Sequence, residues 1–581
     1  MTTIGKSFSV LIIIIITTGF GVNDMAYAQG DREAGDRFAT RSEIIAKNGI
    51  VATSQPLAAQ VGLNILKNGG NAIDAAIATN AAMGLMEPTG NGIGGDLFAI
   101  IWHEESGQIY ALNASGRSPR GLSYDRLMEI LDEKGEDDIP SYDLLSVSVP
   151  GAIDGWFTLH ERFGSVPMSE ILADPIYYAE EGFPVSEAIS SAWRRSANFL
   201  KSQPGAFEET FTIDGRGPEK GEVFKNPDLG NTFRLLAEQG RDAFYEGEIA
   251  EKIDAWMKEN EGYLRYEDFA NHTSQWVDPV STNYRGYDVY QIGGNNQGTA
   301  VLQMLNILEG FDLESSGFGT AETLHLLVEA KKLAFEDRAK QYADPDFHDV
   351  PYDVLLSKEY AAERRDLIGD RASRDLSSGV EVMEDGDTIY LTTADKDGNM
   401  VSLIQSNFRG MGTGFVVPGT GFSFQNRGEL FSLDPNHPNV YEPGKRPFHT
   451  IIPGFVMKDG KPLFSFGNMG GGYQPIGHVS ILTNIIDFGM NIQEAGDAPR
   501  WSHTGSSQPT DDADEKLSSP GQLSLESALG FDVIRALRAK GHRVQMGNSF
   551  FGRYQSIMRN HEYGVWIGAS ESRVDGQAVG Y

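Results

Sequence analysis

The sequence predicts a layered α/β protein in which helices flank β-strands. Strand-like runs such as TIYLTT, MVSLIQS and PLFSFGN follow residue 387, and helical runs occur both before and after them. This alternation is typical of sheets that are covered by helices. No internal repeat occurs at a solenoid or propeller period, so the 581 residues are expected to form several ordinary domains or one large globular unit.

The first predicted elements form a compact block. A strand is expected at Gly49–Thr53, and two helices follow it, separated by Asn68-Gly69-Gly70. The glycine loop TGNGIGG then leads into a buried strand and not into a helix, so the geometry that cradles a phosphate is missing. We interpret this loop as tight packing beneath a cleft.

The middle of the chain is predicted to be mainly helical. Residues 120–280 have helical patterns, interrupted by a loop at Lys201–Lys225, and a strand is expected to begin at Tyr284. Apolar residues at helical spacing predict a long helix from Ala321 to Tyr342. Residues 360–384 are charged and loop-like, which would suit a cleavable linker.

The chain after residue 387 is predicted to be rich in β-structure. The run GTGFVVP is expected to be a further strand, and helical runs return at His478–Phe488 and Leu525–Lys540. At the other end of the chain, the polar residues 29–45 are predicted to be disordered.

The N-terminus has the features of a secretory signal peptide, residues 1–28. Lys6 supplies the positive end, Ser9 through Val22 form an apolar run, and Ala26-Tyr27-Ala28 is a small-x-small cleavage site. Because the run is short for a membrane span, we expect an exported, soluble mature protein, either periplasmic or extracellular. A retained N-terminal anchor is the alternative.

Composition excludes several classes of function. The net charge of -33 argues against binding to nucleic acids or to anionic membranes, since both need a basic surface. Because the chain has no cysteine, disulfides, thiolate catalysis, iron–sulfur clusters and thiolate zinc sites are excluded. The eleven histidines are scattered, with no two at metal-ligand spacing on one helix. Neither a metal ion nor another cofactor is therefore expected.

The segment DGDTIYLTTADKDGN, residues 385–399, contains the strongest candidate for catalysis. A threonine hydroxyl is a poor nucleophile, but cleavage between Asp387 and Thr388 would free an α-amine that titrates near neutral pH and could act as its base. The same run also fits a plain β-hairpin with a turn at Asp397-Gly398, and taken alone it favours the hairpin.

Long motifs elsewhere change that balance. They are GGNAIDAAIATNAAMGLMEPTGNGIGG, SVSVPGAIDGW, NYRGYDVY, HLLVEAKKLAFEDRAKQYADPDF, GKRPFHTIIPG, GNMGGG and GASESRVDGQAVGY. With these motifs the chain resembles the γ-glutamyltranspeptidase family over nearly all its mature length. The resemblance implies an N-terminal nucleophile hydrolase fold, a four-layer αββα sandwich. It also implies self-cleavage into a large subunit, residues 29–387, and a small catalytic subunit, residues 388–581, which stay associated.

The resemblance also implies roles for individual residues. Thr388 matches the family nucleophile, and Ser406 matches a threonine whose hydroxyl supports it. Gly470 and Gly471 match the glycine pair whose backbone N–H groups form the oxyanion hole. Without the family context, the glycines would be interpreted as a flexible turn.

The positions that face the substrate depart from the family pattern. Ser115 stands where the family has an arginine for the donor α-carboxylate, and Arg117 is either its replacement or a surface charge. The remaining altered positions are Arg427 and Leu430 in place of an acidic pair, with Glu429 adjacent, and His449 and Thr450 in place of a serine pair. The segment that covers the pocket in many family members is shortened at Leu433–Gly444, so we expect hydrolysis to outrun transfer.

These changes resemble the acylase-like branch of the family, which includes cephalosporin (glutaryl) acylases. A glutaryl group has no α-amine, and Arg427 could hold its carboxylate through two hydrogen bonds, unless Arg427 forms a structural ion pair with Glu429. Three functions remain open: a γ-glutamyl hydrolase or transferase acting on compounds such as glutathione, an amidase that removes a dicarboxylic acyl group, and an uncleaved binding protein.

Overall fold

The computed structural model describes residues 38–374, 386–511, 520–547 and 549–581. The predicted signal peptide and residues 375–384 of the predicted linker lie outside the described residues.

The strands of the described chain belong to two large and two small sheets. In chain order they are β1 (Ile44–Ala46), β2 (Ile50–Thr53), β3 (Asp96–His103), β4 (Gln108–Ala114), β5 (Phe183–Pro184), β6 (Val223–Phe224), β7 (Gln275–Val277), β8 (Val280–Tyr284), β9 (Tyr287–Gln291), β10 (Gly386–Ala394), β11 (Met400–Arg409), β12 (Gly454–Lys458), β13 (Lys461–Asn468), β14 (Trp501–Thr504), β15 (Gln522–Leu525), β16 (Arg543–Met546), β17 (Tyr554–Asn560), β18 (Val565–Ser570) and β19 (Gln577–Gly580).

The helices surround the sheets. They are α1 (Pro56–Lys67), α2 (Ala72–Met86), α3 (Tyr124–Lys134), α4 (Ala152–Phe163), α5 (Met168–Ile171), α6 (Ala173–Glu181), α7 (Glu187–Leu200), α8 (Phe207–Phe211), α9 (Pro227–Gln239), α10 (Asp242–Tyr245), α11 (Glu248–Glu259), α12 (Tyr266–Ala270), α13 (Gly298–Leu308), α14 (Leu313–Ser316), α15 (Ala321–Gln341), α16 (Tyr352–Leu355), α17 (Lys358–Arg365), α18 (Gln474–Ile486), α19 (Ile492–Asp497) and α20 (Phe531–Lys540). Among the described residues, no helix is both long and apolar enough to cross a membrane.

Two seven-stranded antiparallel sheets are stacked face to face at the centre of the molecule. The first has the strand order β19-β2-β10-β11-β3-β4-β7, and the second β1-β18-β17-β13-β12-β9-β8. Polar contacts join them: the hydroxyls of Thr392 and Ser465 share a hydrogen bond of 2.6 Å, and Ser402 Oγ donates to Gly454 O at 2.9 Å. Strand β11 is almost completely buried, as expected for a strand that is covered on both faces.

Helices cover the outer face of each sheet. Helix α2 begins with a capping box in which the side chains of Asn71 and Asp74 accept each other's backbone N–H groups, and the helix is buried along its whole length. It contacts β11 through Asn80 Nδ2, which donates to Gln405 Oε1 at 2.7 Å. On the second sheet, α13 packs against β8 and β9, and α18 packs against β13. This is the four-layer αββα sandwich, and the predicted fold is confirmed.

Several predicted elements are confirmed and others are wrong. The strand predicted at Gly49–Thr53, the two helices on either side of Asn68-Gly69-Gly70 and the helix from Ala321 are present. Residues 29–45 were predicted to be disordered, but β1 begins at Ile44 because it pairs with β18. The predicted linker begins too early, since α17 continues to Arg365.

Four further predictions differ from the structure. The predicted loop Lys201–Lys225 contains α8 and β6, and the helical region up to residue 280 includes β5 and β7. Leu525 ends β15 and does not begin a helix, because α20 starts at Phe531. The run GTGFVVP makes only isolated bridges through Val416, and the positive φ of 78° at Gly414 is incompatible with a regular strand.

Candidate active site

The predicted cleavage point lies at a defect in the first large sheet. Asp387 pairs with Phe408 and Ile389 pairs with Gln405, so two residues of β11 oppose the single residue Thr388. Thr388 is fully buried, and Phe408 has a φ of 77°, a strained value for a residue with a bulky side chain. The bond that would be cut therefore lies in a buried, irregular part of the ladder.

Hydrogen bonds fix the atoms of the Asp387–Thr388 peptide. Ser406 Oγ donates to Asp387 O at 2.7 Å, and Phe408 N donates to Ser406 Oγ at 2.8 Å. Thr388 N donates to Asp387 Oδ1 at 2.9 Å. The hydroxyl of Ser406 therefore supports the carbonyl that would be attacked, a contact that the sequence did not reveal.

Gln474 holds the hydroxyl of the candidate nucleophile. Its Nε2 lies 3.4 Å from Thr388 Oγ1, and its Oε1 accepts a hydrogen bond from Ile452 N at 3.0 Å. No role was predicted for Gln474 from the sequence. The signal that could have indicated it is the position of a glutamine directly before Pro475, at the start of a helix that follows three glycines.

The glycine pair lies in a short turn that leads into α18. Gly470 has a φ of 122° and Gly471 a φ of 54°, values that favour glycine. Within the described chain neither of their N–H groups donates a hydrogen bond, and the nearby helix N-terminus adds positive potential. Gln297 Nε2 holds the turn by donating to Gly471 O at 2.8 Å. The arrangement can accept an oxyanion.

The glycine loop predicted to pack beneath a cleft lies against the junction. A Cβ atom on Gly90 would lie 3.1 Å from Thr388 O, and one on Gly95 would lie 2.4 Å from Ser406 O. The absence of side chains at these positions allows the loop to approach the backbone of Thr388 and that of Ser406 on the neighbouring strand β11.

Arg427 is a buried cation of the site, and part of its guanidinium has no hydrogen-bond partner among the described residues. It is fully buried, its Nη1 donates to Thr450 Oγ1 at 2.8 Å, and its guanidinium lies 4.7 Å from the centre of the Phe408 ring. Its Nε and Nη2 have no hydrogen-bond partner among the described residues. Burial lowers the pKa of Arg427 to about 9, although the acids Asp96 and Glu429 oppose this effect.

Glu429 forms its ion pair with a different arginine. Its Oε1 lies 2.5 Å from Arg409 Nε, so the alternative in which Glu429 is the structural partner of Arg427 is not what the structure shows. Burial raises the pKa of Glu429, and Arg409 counteracts the shift. Leu430 is buried in the apolar core, and its backbone carbonyl accepts a hydrogen bond from Asn439 Nδ2.

Thr450 connects the arginine to the glycine turn. Its hydroxyl accepts from Arg427, and its carbonyl accepts from Gln297 Nε2 at 2.6 Å. Because the same Gln297 amide also holds Gly471, the structure brings Arg427, Thr450 and the glycine pair together.

The predicted substrate-binding residue Arg117 belongs to a second polar group. Its guanidinium pairs with Asp344 at 3.3 Å and with Asp346 at 2.6 Å, and Arg446 contacts the same two aspartates. Ser115 Oγ donates to Asn113 Oδ1 at 2.6 Å. A substrate contact of Arg117 stays a prediction, and in the structure its charge is already balanced.

His449 is also held by an acid. Its Nε2 lies 2.6 Å from Asp96 Oδ2, and its Nδ1 lies 2.9 Å from Pro447 O. Burial lowers the pKa of His449, and the contact with Asp96 opposes the shift. In the structure, both ring nitrogens of His449 are within hydrogen-bonding distance of Asp96 or the backbone. A contact of His449 with substrate stays a prediction.

Three potential metal ligands lie together away from this site. His325, Glu329 and His542 place ligand atoms within 4.8 Å of one another. His325 Nδ1 and His542 Nε2 are hydrogen-bonded at 2.8 Å, and Glu329 pairs with Lys332 at 2.7 Å. The sequence could not bring the two histidines together, because they lie 217 residues apart in the chain.

Comparison with known proteins agrees with this geometry. A profile described as gamma-glutamyltranspeptidase matches residues 58–581. The chain is 37% identical to the glutathione hydrolase-like YwrD proenzyme of Bacillus subtilis (strain 168), over 92% of this chain and 99% of that protein. It is 32% identical to the glutathione hydrolase proenzyme of Escherichia coli (strain K12), over 92% of each.

A solved structure is similar over nearly the whole fold. The crystal structure of cephalosporin acylase from Bacillus halodurans matches with a TM-score of 0.85 and 44% identity, covering 95% of this chain and 99% of that one. The names of these relatives thus include both a glutathione hydrolase and an acylase, so the family is clear while the substrate is left open. The chain belongs to the gamma-glutamyltranspeptidase family and is an enzyme of that family.

Proposed function

We propose that the protein is a self-processing amidase with Thr388 as its N-terminal nucleophile. Cleavage after Asp387 gives a large subunit, residues 29–387, and a small subunit, residues 388–581, which remain associated. Thr388 Oγ1 attacks the carbonyl carbon of Asp387, which Ser406 polarises. The C–N bond breaks as nitrogen gains a proton, and water then hydrolyses the ester. The proposal includes export and removal of residues 1–28.

In turnover, the free α-amine of Thr388 takes the proton from the hydroxyl of the same residue. The oxygen attacks the amide carbonyl of the substrate, and the N–H groups of Gly470 and Gly471 hold the oxyanion. The α-amine then gives its proton to the departing amine. Water or an acceptor amine attacks the acyl-enzyme and releases Thr388, and we propose that water is the faster acceptor.

The proposed donors are amides whose acyl group ends in a carboxylate, first among them γ-glutamyl compounds such as glutathione. The observation that carries this proposal is the buried Arg427, whose Nε and Nη2 are without partners in the described chain. A buried cation with unsatisfied donors is costly, and a substrate carboxylate would satisfy both donors at once. Thr450 orients the guanidinium, and Glu429 lies close enough to act on its charge.

A glutaryl or cephalosporin-type acylase is the second candidate. The contact that favours it is the ion pair of Glu429 with Arg409, because a γ-glutamyl head also carries an ammonium group that needs an acid. The similarity to a protein named cephalosporin acylase points the same way. An uncleaved binding protein is the least favoured alternative, because the contacts of Thr388, Ser406 and the glycine turn fit the proposed catalytic roles.

Three chromogenic anilides test the proposal. We would measure kcat/KM for the γ-glutamyl, glutaryl and butyryl p-nitroanilides, with the Thr388→Ala variant as the blank. At least one carboxylate-bearing substrate is expected to exceed butyryl anilide by roughly 100-fold, the worth of a buried charge-assisted contact. The comparison of kcat/KM between the γ-glutamyl and the glutaryl anilide then distinguishes the γ-glutamyl hydrolase from the glutaryl acylase. Equal turnover of all three would contradict the proposed donor class.

A further inference from the structure

Asp387 is held by a series of interacting charged side chains that play no part in the mechanism above. Its Oδ1 lies 3.4 Å from Arg553 Nη1, and the same nitrogen lies 2.8 Å from Glu87 Oε1. Glu87 is fixed in turn, because Ser54 Oγ donates to its Oε2 at 2.6 Å. Glu87 is fully buried, whereas the side chain of Arg553 is 12% exposed.

The neighbourhood of Arg553 is acidic. The carboxylates of Asp387, Glu87, Glu571 and Asp575 all act on its charge and raise its pKa, against the effect of burial. Arg553 lies directly before β17, so its backbone is anchored in the second large sheet while its side chain reaches the first. It is therefore a fixed cation beside the residue that supplies the carbonyl for self-cleavage.

The carboxylate of Asp387 needs such a cation during cleavage. When Thr388 Oγ1 attacks, the carbonyl oxygen of Asp387 gains negative charge, and the carboxylate of the same residue lies only a few bonds away. Without a nearby cation, the carboxylate of Asp387 would repel that negative charge. The same carboxylate accepts the N–H of the scissile peptide at 2.9 Å, so fixing the side chain also fixes the peptide.

We propose that Arg553 is a positioning residue for self-cleavage and acts through the carboxylate of Asp387. This inference rests on the proposed function, because it assigns a residue to the cleavage step of that function. The step itself is balanced without a proton from arginine. The bond from Thr388 Oγ1 to the Asp387 carbonyl carbon forms, the C–N bond breaks, and the hydroxyl proton ends on the threonine nitrogen.

The first test measures the rate of maturation. Freshly purified full-length protein would be incubated, and the cleaved fraction followed by intact mass under denaturing conditions. Arg553→Gln is expected to slow cleavage by about 10- to 100-fold, because it removes the cation that lies 3.4 Å from the Asp387 carboxylate. The matched control is Arg559→Gln on the same strand, which removes an arginine paired with Glu104 and should leave the rate unchanged.

A double-mutant cycle separates positioning from a general structural effect. If Arg553 acts through Asp387, then Asp387→Asn combined with Arg553→Gln should be no slower than the slower single variant. Arg553→Lys should cleave faster than Arg553→Gln, because it restores the positive charge. The inference would be overturned if the slowing in the double variant equalled the product of the two single effects, or if Arg553→Lys cleaved no faster than Arg553→Gln.

The two proposals fail in different ways. If the unsubstituted protein never cleaves at Thr388, then the proposed function fails. If it cleaves and Arg553→Gln cleaves at the same rate, then only the role of Arg553 fails. Unfolding by urea is measured for every variant, so that a loss of folding is recognised as such and Arg553→Lys carries the test.

Discussion

Replacing Arg427 with methionine should raise stability and lower activity in the same protein. Methionine keeps most of the buried volume and removes a fully buried cation whose Nε and Nη2 lack partners in the described chain. The fall of the pKa of Arg427 to about 9 corresponds to roughly 5 kcal/mol of unfavourable desolvation as an upper bound. The lost bond to Thr450 offsets about 1 kcal/mol. We expect the free energy of unfolding to rise by about 1–4 kcal/mol.

The same change should remove recognition of the acyl carboxylate. Loss of a buried hydrogen bond to a charged group costs about 2–3 kcal/mol, or roughly 30- to 160-fold in kcat/KM. The γ-glutamyl and glutaryl anilides should both lose this much in Arg427→Met. Butyryl anilide, which has no carboxylate, should change by less than about threefold, since its transition state makes no contact that the mutation removes.

Urea unfolding and anilide kinetics on the matured protein measure the two effects. Arg409→Met is the matched control, because it removes an arginine that is paired with Glu429 and leaves that acid buried. It should destabilise the fold by about 3 kcal/mol. A fall in the stability of Arg427→Met, together with equal losses on all three anilides, would refute the reasoning.

Three further outcomes are expected from the same geometry. Ser406→Ala should slow self-cleavage by about 100-fold, because the carbonyl of Asp387 loses its donor, and intact mass over time would show a normal rate if the contact were incidental. Gln474→Leu should lower kcat by about tenfold, the worth of one hydrogen bond to the nucleophile, and unchanged kcat on the anilides would contradict this. Burial lowers the pKa of His478 to about 3, so below pH ~6.5 this imidazole is protonated in the unfolded chain but stays neutral in the native state. His478 therefore does not lower the free energy of unfolding above pH ~6.5, but lowers it by about 2 kcal/mol at pH ~5. Urea unfolding should show a smaller loss of stability between these two pH values in His478→Gln.

The sequence was sufficient where the signal was local or a long motif. Thr388 was singled out through the long family motifs, because its own run taken alone favours a plain hairpin, and its role stays a prediction. Helices α1 and α2 follow from apolar spacing interrupted by glycines. The layered fold follows from the order of strands and helices. By contrast, GTGFVVP has strong strand propensity, but its positive-φ glycine at 414 excludes a regular strand.

The contacts that organise the site depend on pairs far apart in the chain. Arg553 and Glu87 are separated by 466 residues, and neither position has a local pattern that indicates the other. The choice of Glu429 between Arg409 and Arg427 is decided by the geometry of the folded loops, because both arginines are close in sequence. The position of Gln474 before Pro475 was a local signal for that residue, whereas the contact of Gln297 with the glycine turn spans 174 residues and has no local pattern.

The most direct test of the account is intact mass with N-terminal sequencing of the purified protein and of Thr388→Ala under denaturing conditions. The account predicts two chains for the unsubstituted protein, one of which begins TIYLTT, and one uncut chain for the variant. A single chain from the unsubstituted protein after long incubation, or cleavage of Thr388→Ala at the same bond, would contradict Thr388 as the nucleophile.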